Sequence, residues 1–459
     1  MNLLLLFAAL LPWATSPVSL FSRIFVAISL ISVEMQVATV TGLATLRSLV
    51  AFNAVLAVAL IAWQRTRSAA FTGWPAAIQP PAPWPAWVML GGVVLLLNVW
   101  LPLEGADPYH LDRVAQIERL GTLEYDPDAD SKVNVLGGVY ELALADLRQI
   151  PLVGPGLVHL HGLFGLLLFG VALAAVQTWL HPGPSRWPLA ALLVVPALFH
   201  QFVLIKNDLF LALPAFVALV WLVMRVHRAS WLEIAWAGWL AGFAVTGKLT
   251  NYPVAFAMIV GVGFVTWRGR DWRPAGGLAV GGLTGGIMAG QLLTLAQNAR
   301  WYGDVLARGP VAEMGNMASG PAEAFESIGR FALSLVDLGL LTGQLWPGRG
   351  GWAGTLGLPF IWAAVVLVLH YARAREARWT IWIAAFHLAA FAAIFPDADL
   401  HHRLALAPAL LVVAVAVHLI QRGERHARLA SLALVPVLVL SGAQLLRSAI
   451  LYLVRASGS

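Results

Sequence analysis

Long apolar segments dominate the chain and restrict the folds that it can adopt. About 13 stretches of roughly 20 mostly apolar residues follow one another, and each is long enough to cross a bilayer as a helix. Charged residues make up 11% of the 459 residues, whereas a soluble domain carries about 25%. A transmembrane β-barrel would show alternating segments of about ten residues, and these runs do not alternate. The sequence therefore predicts an all-α polytopic membrane protein.

Predicted spans are distributed over the whole chain. They cover residues 18–45, 48–64, 84–103, 158–180, 187–205, 208–224, 230–247, 251–267, 275–296, 352–371, 379–395, 403–421 and 428–446. Residues 1–14 are apolar but short for a full span. We expect N-terminal helices at 1–83, a core at 84–325 and C-terminal helices at 326–459. An apolar segment at 325–346 contains charged residues and predicts an interfacial or re-entrant helix.

Arginines mark one set of the loops between the predicted spans. They are Arg65, Arg67, Arg186, Arg225, Arg228, Arg268, Arg270, Arg273, Arg373, Arg375, Arg378, Arg422, Arg425 and Arg428. The positive-inside rule places these loops in the cytoplasm. The outer side then carries a polar loop at 104–156, a loop at 297–350 and all three lysines, Lys132, Lys206 and Lys248.

The composition also excludes several classes of function. The chain has no cysteine, so disulfides, thiolate catalysis and cysteine-ligated metals are excluded. The net charge is +6, but no basic stripe with interleaved aromatic residues occurs, so we expect no nucleic-acid partner.

The outer loop at 104–156 predicts two short amphipathic helices that lie on the membrane surface. Asp107 and Pro108 are typical of an N-cap and a first helical position. Leu111, Val114, Ile117 and Leu120 follow at helical spacing, and Gly121 supplies a stop. A second helix is predicted at 135–149. Its apolar face comprises Leu136, Tyr140, Ala143, Leu144 and Leu147.

Acidic residues in the outer loops raise the question of a metal site. Asp126, Asp128 and Asp130 alternate as in a calcium loop, but the glycine and the distal glutamate of an EF-hand are missing. We expect a solvated acidic turn there. A second group, Asp397, Asp399, His401 and His402, has the side chains to hold a divalent cation. We expect no metal and no other cofactor.

Five segments in these loops resemble a known family in order along residues 85–420. They are Asp107-Pro-Tyr109-His110-Leu111, Asn207-Asp208-Leu-Phe210, Thr246-Gly-Lys248-Leu-Thr250, Gln297-Asn-Ala-Arg-Trp-Tyr-Gly-Asp304, and His402-Arg403-Leu404 with Pro408. Together they resemble the GT-C superfamily of membrane glycosyltransferases, in the bacterial branch related to dolichyl-phosphate-mannose protein mannosyltransferases. The resemblance implies a GT-C-like helix bundle whose first large outer loop forms two membrane-parallel helices.

The resemblance implies an inverting transfer of a sugar from a polyprenyl-phosphate donor, such as an undecaprenyl-phosphate sugar, to a hydroxyl group. The acceptor would be a glycan, lipid or protein at the periplasmic face of a bacterial inner membrane. A carboxylate base is needed, and Asp107 is the first choice. Relatives place the acid four residues before the tyrosine, where this chain has Gly105, so Glu104 stays open as the alternative. Tyr109 and His110 are expected to bind substrate.

The leaving phosphate needs cations that stabilise its developing charge. Arg403 is the first candidate, because arginine binds phosphate bidentately, and Lys206 and Lys248 follow. His402 is expected to contribute beside Arg403. Asp208 is either part of the substrate site or an ion-pair partner of Lys206.

Three other readings remain open. A transporter or lipid flippase would show internal repeats and ionisable residues near the bilayer midplane. We detect no repeat. Most ionisable residues lie at span ends and in outer loops, and Glu34, which lies within an apolar stretch, is the exception. An O-antigen ligase or polymerase uses diphosphate-linked donors, but its catalytic loop normally lies late in the chain. The third alternative is a membrane subunit without enzymatic activity.

Overall fold

The described part of the chain is helical throughout. The structure is a computed structural model, which describes residues 1–67, 84–100, 108–129, 133–134, 138–180, 187–203, 207–247, 251–307, 309, 320–336, 356–394, 405–423 and 427–457. Within these ranges no strand occurs. The predicted all-α class is therefore confirmed for this part of the protein.

Twenty α-helices follow one another in these ranges. They are α1 (Asn2–Leu10), α2 (Pro17–Thr41), α3 (Leu49–Arg67), α4 (Trp84–Trp100), α5 (Pro108–Leu120), α6 (Val139–Arg148), α7 (Gly154–His159), α8 (His161–Gln177), α9 (Ala190–Leu193), α10 (Pro196–Val203), α11 (Asp208–Arg225), α12 (Trp231–Gly247), α13 (Tyr252–Gly269), α14 (Arg273–Met288), α15 (Gln291–Tyr302), α16 (Pro321–Val336), α17 (Gly357–His370), α18 (Arg375–Ile394), α19 (Leu406–Gln421) and α20 (Ala427–Ser457). Short 3₁₀ turns occupy Leu11–Trp13, Trp187–Leu189 and Val226–Arg228.

Five of these helices are long and apolar enough to cross a membrane. They are Pro17–Thr41, Leu49–Thr66, Asp208–Arg228, Tyr252–Gly269 and Ala427–Ile450. The bent pair α14 and α15 raises the number to six if it forms one span. Shorter apolar helices, including α4, α8, α17 and α19, coincide with other predicted spans. These helices indicate a polytopic membrane protein.

The predicted span at 187–205 is not one helix. The described residues form a 3₁₀ turn at Trp187–Leu189, then α9, then α10. Pro196 begins α10, and a proline removes a backbone donor and disfavours the helical conformation of the residue before it. The segment is almost entirely buried from Leu189 to Val203, so apolarity here reflects packing inside the bundle.

The predicted span at 275–296 is also interrupted. Helix α14 ends at Met288, and α15 continues at an angle of 60°. Gly290, with φ of +104°, forms the bend. Glycine adopts this conformation without the steric penalty that a side chain would introduce.

Two helices, α11 and α19, form the centre of the bundle. Nearly every residue of α11 from Asp208 to Val223 is buried, and so is every residue of α19 from Leu406 to Ile420. A helix that is apolar on all sides is expected at a core position.

Glycines allow α12 and α14 to approach closely. A Cβ atom at Gly277, Gly281 or Gly285 of α14 would lie 2.6, 1.9 or 2.1 Å from a backbone oxygen of α12. This spacing of small residues on one helix face is typical of helix pairs in membranes.

The basic turns meet at one end of the bundle. Arg225 lies 3.7 Å from Glu233, and Arg422 lies 3.9 Å from Glu376. The His227 ring contacts the Trp379 ring at 5.8 Å between centroids. At the other end, α5 and α6 pack against each other, and α6 contacts the start of α11, where the Tyr140 and Phe210 rings are 5.5 Å apart. The outer-loop helices therefore lie at the bundle end opposite the basic turns.

Candidate functional site

The first helix of the outer loop forms at the predicted residues. Helix α5 spans Pro108–Leu120, and Gly121 follows with φ of +70°. The second helix, α6, spans Val139–Arg148, inside the predicted 135–149. Both predicted outer-loop helices are confirmed. Their orientation relative to a membrane stays a prediction.

The buried face of α5 differs from the predicted one. Val114 and Ile117 are fully buried, whereas Leu111 and Leu120 are only half-buried. The remaining buried positions are polar: His110, Arg113 and Gln116. These three residues recur at every third position, so they form one row along the helix. A polar row that is buried needs hydrogen-bond partners from other elements.

Helix α6 supplies the partner of the first residue in this row. Nδ1 of His110 lies 2.5 Å from Oε1 of Glu141, and both side chains are almost fully buried. Within the described residues, Nε2 of His110 and Oε2 of Glu141 have no hydrogen-bond partner. The pair therefore keeps one nitrogen and one oxygen for a further contact.

Aromatic rings enclose the His110–Glu141 pair. The Tyr109 and Tyr140 rings lie 4.0 and 5.9 Å from the His110 ring, and Tyr140 in turn contacts Phe210 of α11. Burial raises the pKa of Tyr140, and the charge of Glu141 raises it further. Because Phe210 is two residues after Asp208, the pair lies beside the start of α11.

Arg113 is the second residue of the buried row. Its terminal nitrogens donate to Gln116 and to the backbone carbonyls of Leu123 (3.0 Å) and Glu124 (3.4 Å). The guanidinium lies over the Tyr125 ring, at 5.6 Å from the centroid. Burial lowers the pKa of Arg113, and nearby Tyr125 and Glu141 oppose that shift. Arg113 is therefore buried and bound to neutral groups.

The outer loop is joined to α15 by Tyr125. Its hydroxyl donates to Oδ1 of Asn298 at 2.8 Å, and Gln297 donates to the Leu123 carbonyl at 3.2 Å. Burial raises the pKa of Tyr125, and Arg113 opposes this effect. These bonds hold the loop after α5 against the helix that follows the Gly290 bend.

The acidic turn is not fully solvated. Asp126 is buried and binds Arg119, and its backbone N–H donates to Asn134 at 3.1 Å. Asp128 is exposed, and its N–H donates to Asp126 at 3.0 Å. Asp130 lies outside the described residues. The predicted solvated turn is therefore wrong for Asp126, which supports the loop structure.

A second buried acid, Asp146 of α6, binds the first turn of α1. Its oxygens accept hydrogen bonds from the backbone N–H groups of Asn2 (3.0 Å) and Leu3 (2.8 Å) and from the Met1 ammonium group (2.7 Å). Acidic groups stabilise helix N-termini in this way. Asn53 donates to Oδ1 of Asn2 at 3.0 Å and to Glu34 at 2.7 Å, so Glu34 belongs to the same network.

Only three of the predicted site residues fall within the described ranges. Tyr109 and His110 lie on α5, and Asp208 is the buried first residue of α11. The other predicted residues lie outside the described residues: Glu104, Asp107, Lys206, Lys248, His402 and Arg403. Among the described residues no group of three His, Asp or Glu side chains is arranged to hold a metal ion. The absence of a metal cofactor stays a prediction.

Sequence reasoning missed Glu141 and Arg113. Glu141 lies within a helix whose neighbouring residues, Leu142 and Leu144, are buried as well. A carboxylate in a short helix of this apolarity was a usable signal, because such a group needs a partner.

Comparison of the chain with protein-family models, with curated proteins and with solved structures finds no match.

Proposed function

We propose that this protein is an inverting membrane glycosyltransferase. It would take a sugar from a polyprenyl-phosphate donor and pass it to a hydroxyl of a glycan, lipid or protein acceptor at the periplasmic face of a bacterial inner membrane. The proposal includes a GT-C-like bundle of about 13 spans, with N-terminal helices at 1–83, a core at 84–325 and C-terminal helices at 326–459. It is supported by the five ordered segments that resemble the GT-C superfamily.

The structural observation that carries the proposal is the buried His110–Glu141 pair in the outer loop. Ionisable groups are costly to bury, and they are retained where they bind or react. The pair begins three residues after Asp107, and it lies at the bundle end where α11 starts. A bundle that needed only stability would fill these positions with apolar side chains.

The residues divide the chemistry between them. Asp107, or Glu104 as the alternative, removes the proton from the acceptor hydroxyl as the bond between the sugar and the phosphate breaks. Glu141 accepts the Nδ1 proton of His110 in a hydrogen bond, which leaves Nε2 for the substrate. Arg403, with Lys206, Lys248 and His402, would stabilise the released lipid phosphate.

The direct test is transfer by the purified full chain in lipid nanodiscs. A panel of undecaprenyl-phosphate sugars is supplied with candidate acceptors, and release of undecaprenyl phosphate is measured with and without acceptor. We expect acceptor-dependent release that Asp107→Asn abolishes while donor binding persists. Asp112→Asn, on the exposed side of α5, is the matched control and should retain activity.

The outcomes separate the two carboxylates. An active Asp107→Asn variant together with an inactive Glu104→Gln variant assigns the base to Glu104. Activity in both variants places the chemistry outside this loop. If the wild type releases no undecaprenyl phosphate with any donor and acceptor in the panel, the proposed reaction is contradicted.

Two observations favour a second candidate, a lipid flippase. The broken pair α14 and α15 and the half-buried Glu34 within α2 are features found in transporters. A flippase would move a labelled polyprenyl-phosphate lipid across proteoliposomes without changing it chemically. Movement that is unaffected by Asp107→Asn, without sugar release, would favour this alternative.

A further inference from the structure

We propose that the turn at residues 151–153, which we call the apolar tip, inserts into the bilayer leaflet at the outer-loop end of the bundle. The tip joins α6 of the outer loop to α7, and α8 begins soon afterwards at His161. Its position would be the boundary between lipid headgroups and acyl chains, where interfacial segments lie about 5–10 Å deep. The inference concerns how the loop is attached to the membrane and does not depend on the glycosyltransferase reaction.

Leu152 presents most of the apolar surface of the tip. Its relative exposure is 102%, the highest value among the large apolar side chains of the described ranges, and the adjacent Val153 is 53% exposed. Pro151 is exposed as well. Transfer of these side chains from water into acyl chains removes apolar surface from water, which is favourable.

The backbone holds Leu152 in this exposed position. Its φ is +69°, a left-handed conformation that residues other than glycine rarely adopt. The N–H of Gly154 donates to the Ile150 carbonyl at 2.8 Å. A Cβ atom at Gly154 would lie 2.1 Å from the Arg148 carbonyl oxygen, so the chain turns closely against the end of α6. The tip is therefore a fixed turn that directs a leucine away from the protein.

The chemistry of the tip suits a lipid environment. No charged residue occurs from position 149 to position 158, so insertion requires no desolvation of a charge. Pro151 and Pro155 lack a backbone N–H, which reduces the number of backbone donors that must leave water. The nearest ion pair, between Arg148 and Glu118 at 3.3 Å, joins α6 to α5 behind the tip.

The start of α8 lies at the same bundle end as the end of α4. Oδ1 of Asn98, near the end of α4, accepts a hydrogen bond from the N–H of Gly162 at 2.9 Å. Val99 and Trp100 at this end of α4 are exposed. Tryptophan is enriched where transmembrane helices leave the bilayer. The chain segment that carries the tip thus enters α8 beside a typical membrane boundary.

The length of α8 leaves part of the bilayer to be covered by its flanking segments. The helix has 17 residues, a rise of about 26 Å, whereas the hydrocarbon core of a bilayer is about 30 Å thick. Phe164 and Leu167 already give α8 an exposed apolar face. Only the six residues of α7 separate α8 from the tip, so the tip is close enough to reach the same leaflet.

The bilayer fits the tip better than a second protein does. A stable interface between two proteins buries about 1,200–2,000 Å², far more surface than one turn of three residues supplies. A lipid leaflet needs no matching surface, since it adapts to a single apolar projection. We therefore assign the tip to lipid and treat a protein contact as an outcome of the test.

The absence of native cysteine allows the test to use single labelled cysteines. Leu152→Cys carries a nitroxide in phosphatidylcholine nanodiscs that hold one copy of the full chain each. Power-saturation electron paramagnetic resonance compares collisions with oxygen, which concentrates in acyl chains, and with a water-soluble nickel chelate. We expect oxygen collisions to dominate at Leu152→Cys, as at Leu167→Cys on the exposed face of α8. Asp128→Cys, at an exposed position of the same outer loop, should show the reverse ratio.

The outcomes decide between lipid, water and protein. Dominant oxygen collisions at Leu152→Cys support insertion. Dominant nickel collisions, as at Asp128→Cys, would place the tip in water and overturn the proposal. Protection from both reagents would show that protein covers the tip, which also overturns it. If labelled Leu152→Cys fails to fold, Val153→Cys is measured in its place, with the same three outcomes.

Discussion

Glu141 and His110 join the two helices of the outer loop through a 2.5 Å contact that is shielded from solvent. The two residues lie 31 positions apart in sequence. The contact fixes how α6 packs on α5, and it orients the imidazole ring. The same pair therefore connects the fold of the loop to its proposed chemistry.

We expect Glu141→Gln to reduce proposed transferase turnover by about a hundredfold, the scale of acid–base contributions, with a smaller change in KM. The amide retains the size of the side chain but loses the charge that orients His110. Turnover, KM and the pH profile of the purified variant measure this effect. Glu326→Gln, at an exposed position on α16, serves as the control. Equal turnover and an unchanged pH profile in both variants would show that Glu141 has only a structural role.

Tyr140 should remain neutral above the pH at which phenols ordinarily ionise, about 10. Burial raises its pKa in the folded protein, so the unfolded state loses this proton first. The stabilising effect of the neutral phenol is then complete below about pH 10 and declines as the pH rises further. Comparison of phenolate absorbance in the wild type and Tyr140→Phe should show no Tyr140 transition near pH 10 in the folded state. A normal transition there would contradict its burial.

Gly281→Ala should destabilise the α12–α14 pair, whereas Gly276→Ala should not. The new Cβ at position 281 would lie 1.9 Å from the Ala235 carbonyl oxygen, but position 276 has nothing within 4 Å. Overpacking of this kind costs about 1–3 kcal/mol, while an alanine at an open helical site stabilises by up to about 1 kcal/mol. Unfolding midpoints of both variants in the same detergent test the difference. Equal midpoints would exclude close packing at Gly281.

Asp146→Ala should loosen the attachment of α1 to the outer loop. The carboxylate is fully buried and accepts hydrogen bonds from Asn2 and Leu3. Each buried donor that loses its partner costs about 1–3 kcal/mol. The half-exposed Met1 ammonium group should contribute less, because solvent screens it. Limited proteolysis near the N-terminus should accelerate in Asp146→Ala and not in Asp271→Asn, which changes an exposed acid. Equal cleavage rates would argue against this attachment.

The sequence predicted the helices because their signals are local. Apolar runs of sufficient length, the Pro108 start and the Gly121 stop were enough to place α5 at the observed residues. The two errors arose where a single residue changes the backbone direction inside an apolar run. Pro196 divides one predicted span and Gly290 bends another, and a window that averages hydropathy does not detect either interruption.

The polar interior of the outer loop was decided by tertiary structure. The 3.6-residue period does not decide whether His110 and Arg113 are buried or exposed, and either residue would be stable on a solvated face. The burial of His110, like that of Tyr125, depends on a partner that is distant in sequence: Glu141 for His110 and Asn298 for Tyr125, which are 31 and 173 residues away.

The sequence by itself therefore determined that the chain forms apolar helices and that its outer loop forms two short ones, because backbone hydrogen bonding and hydropathy act over one or two turns. Only the tertiary structure decided which polar side chains leave solvent. The reason is energetic: a charged or polar group is buried only where distant residues satisfy its hydrogen bonds, and that condition is met by the packing of the whole molecule.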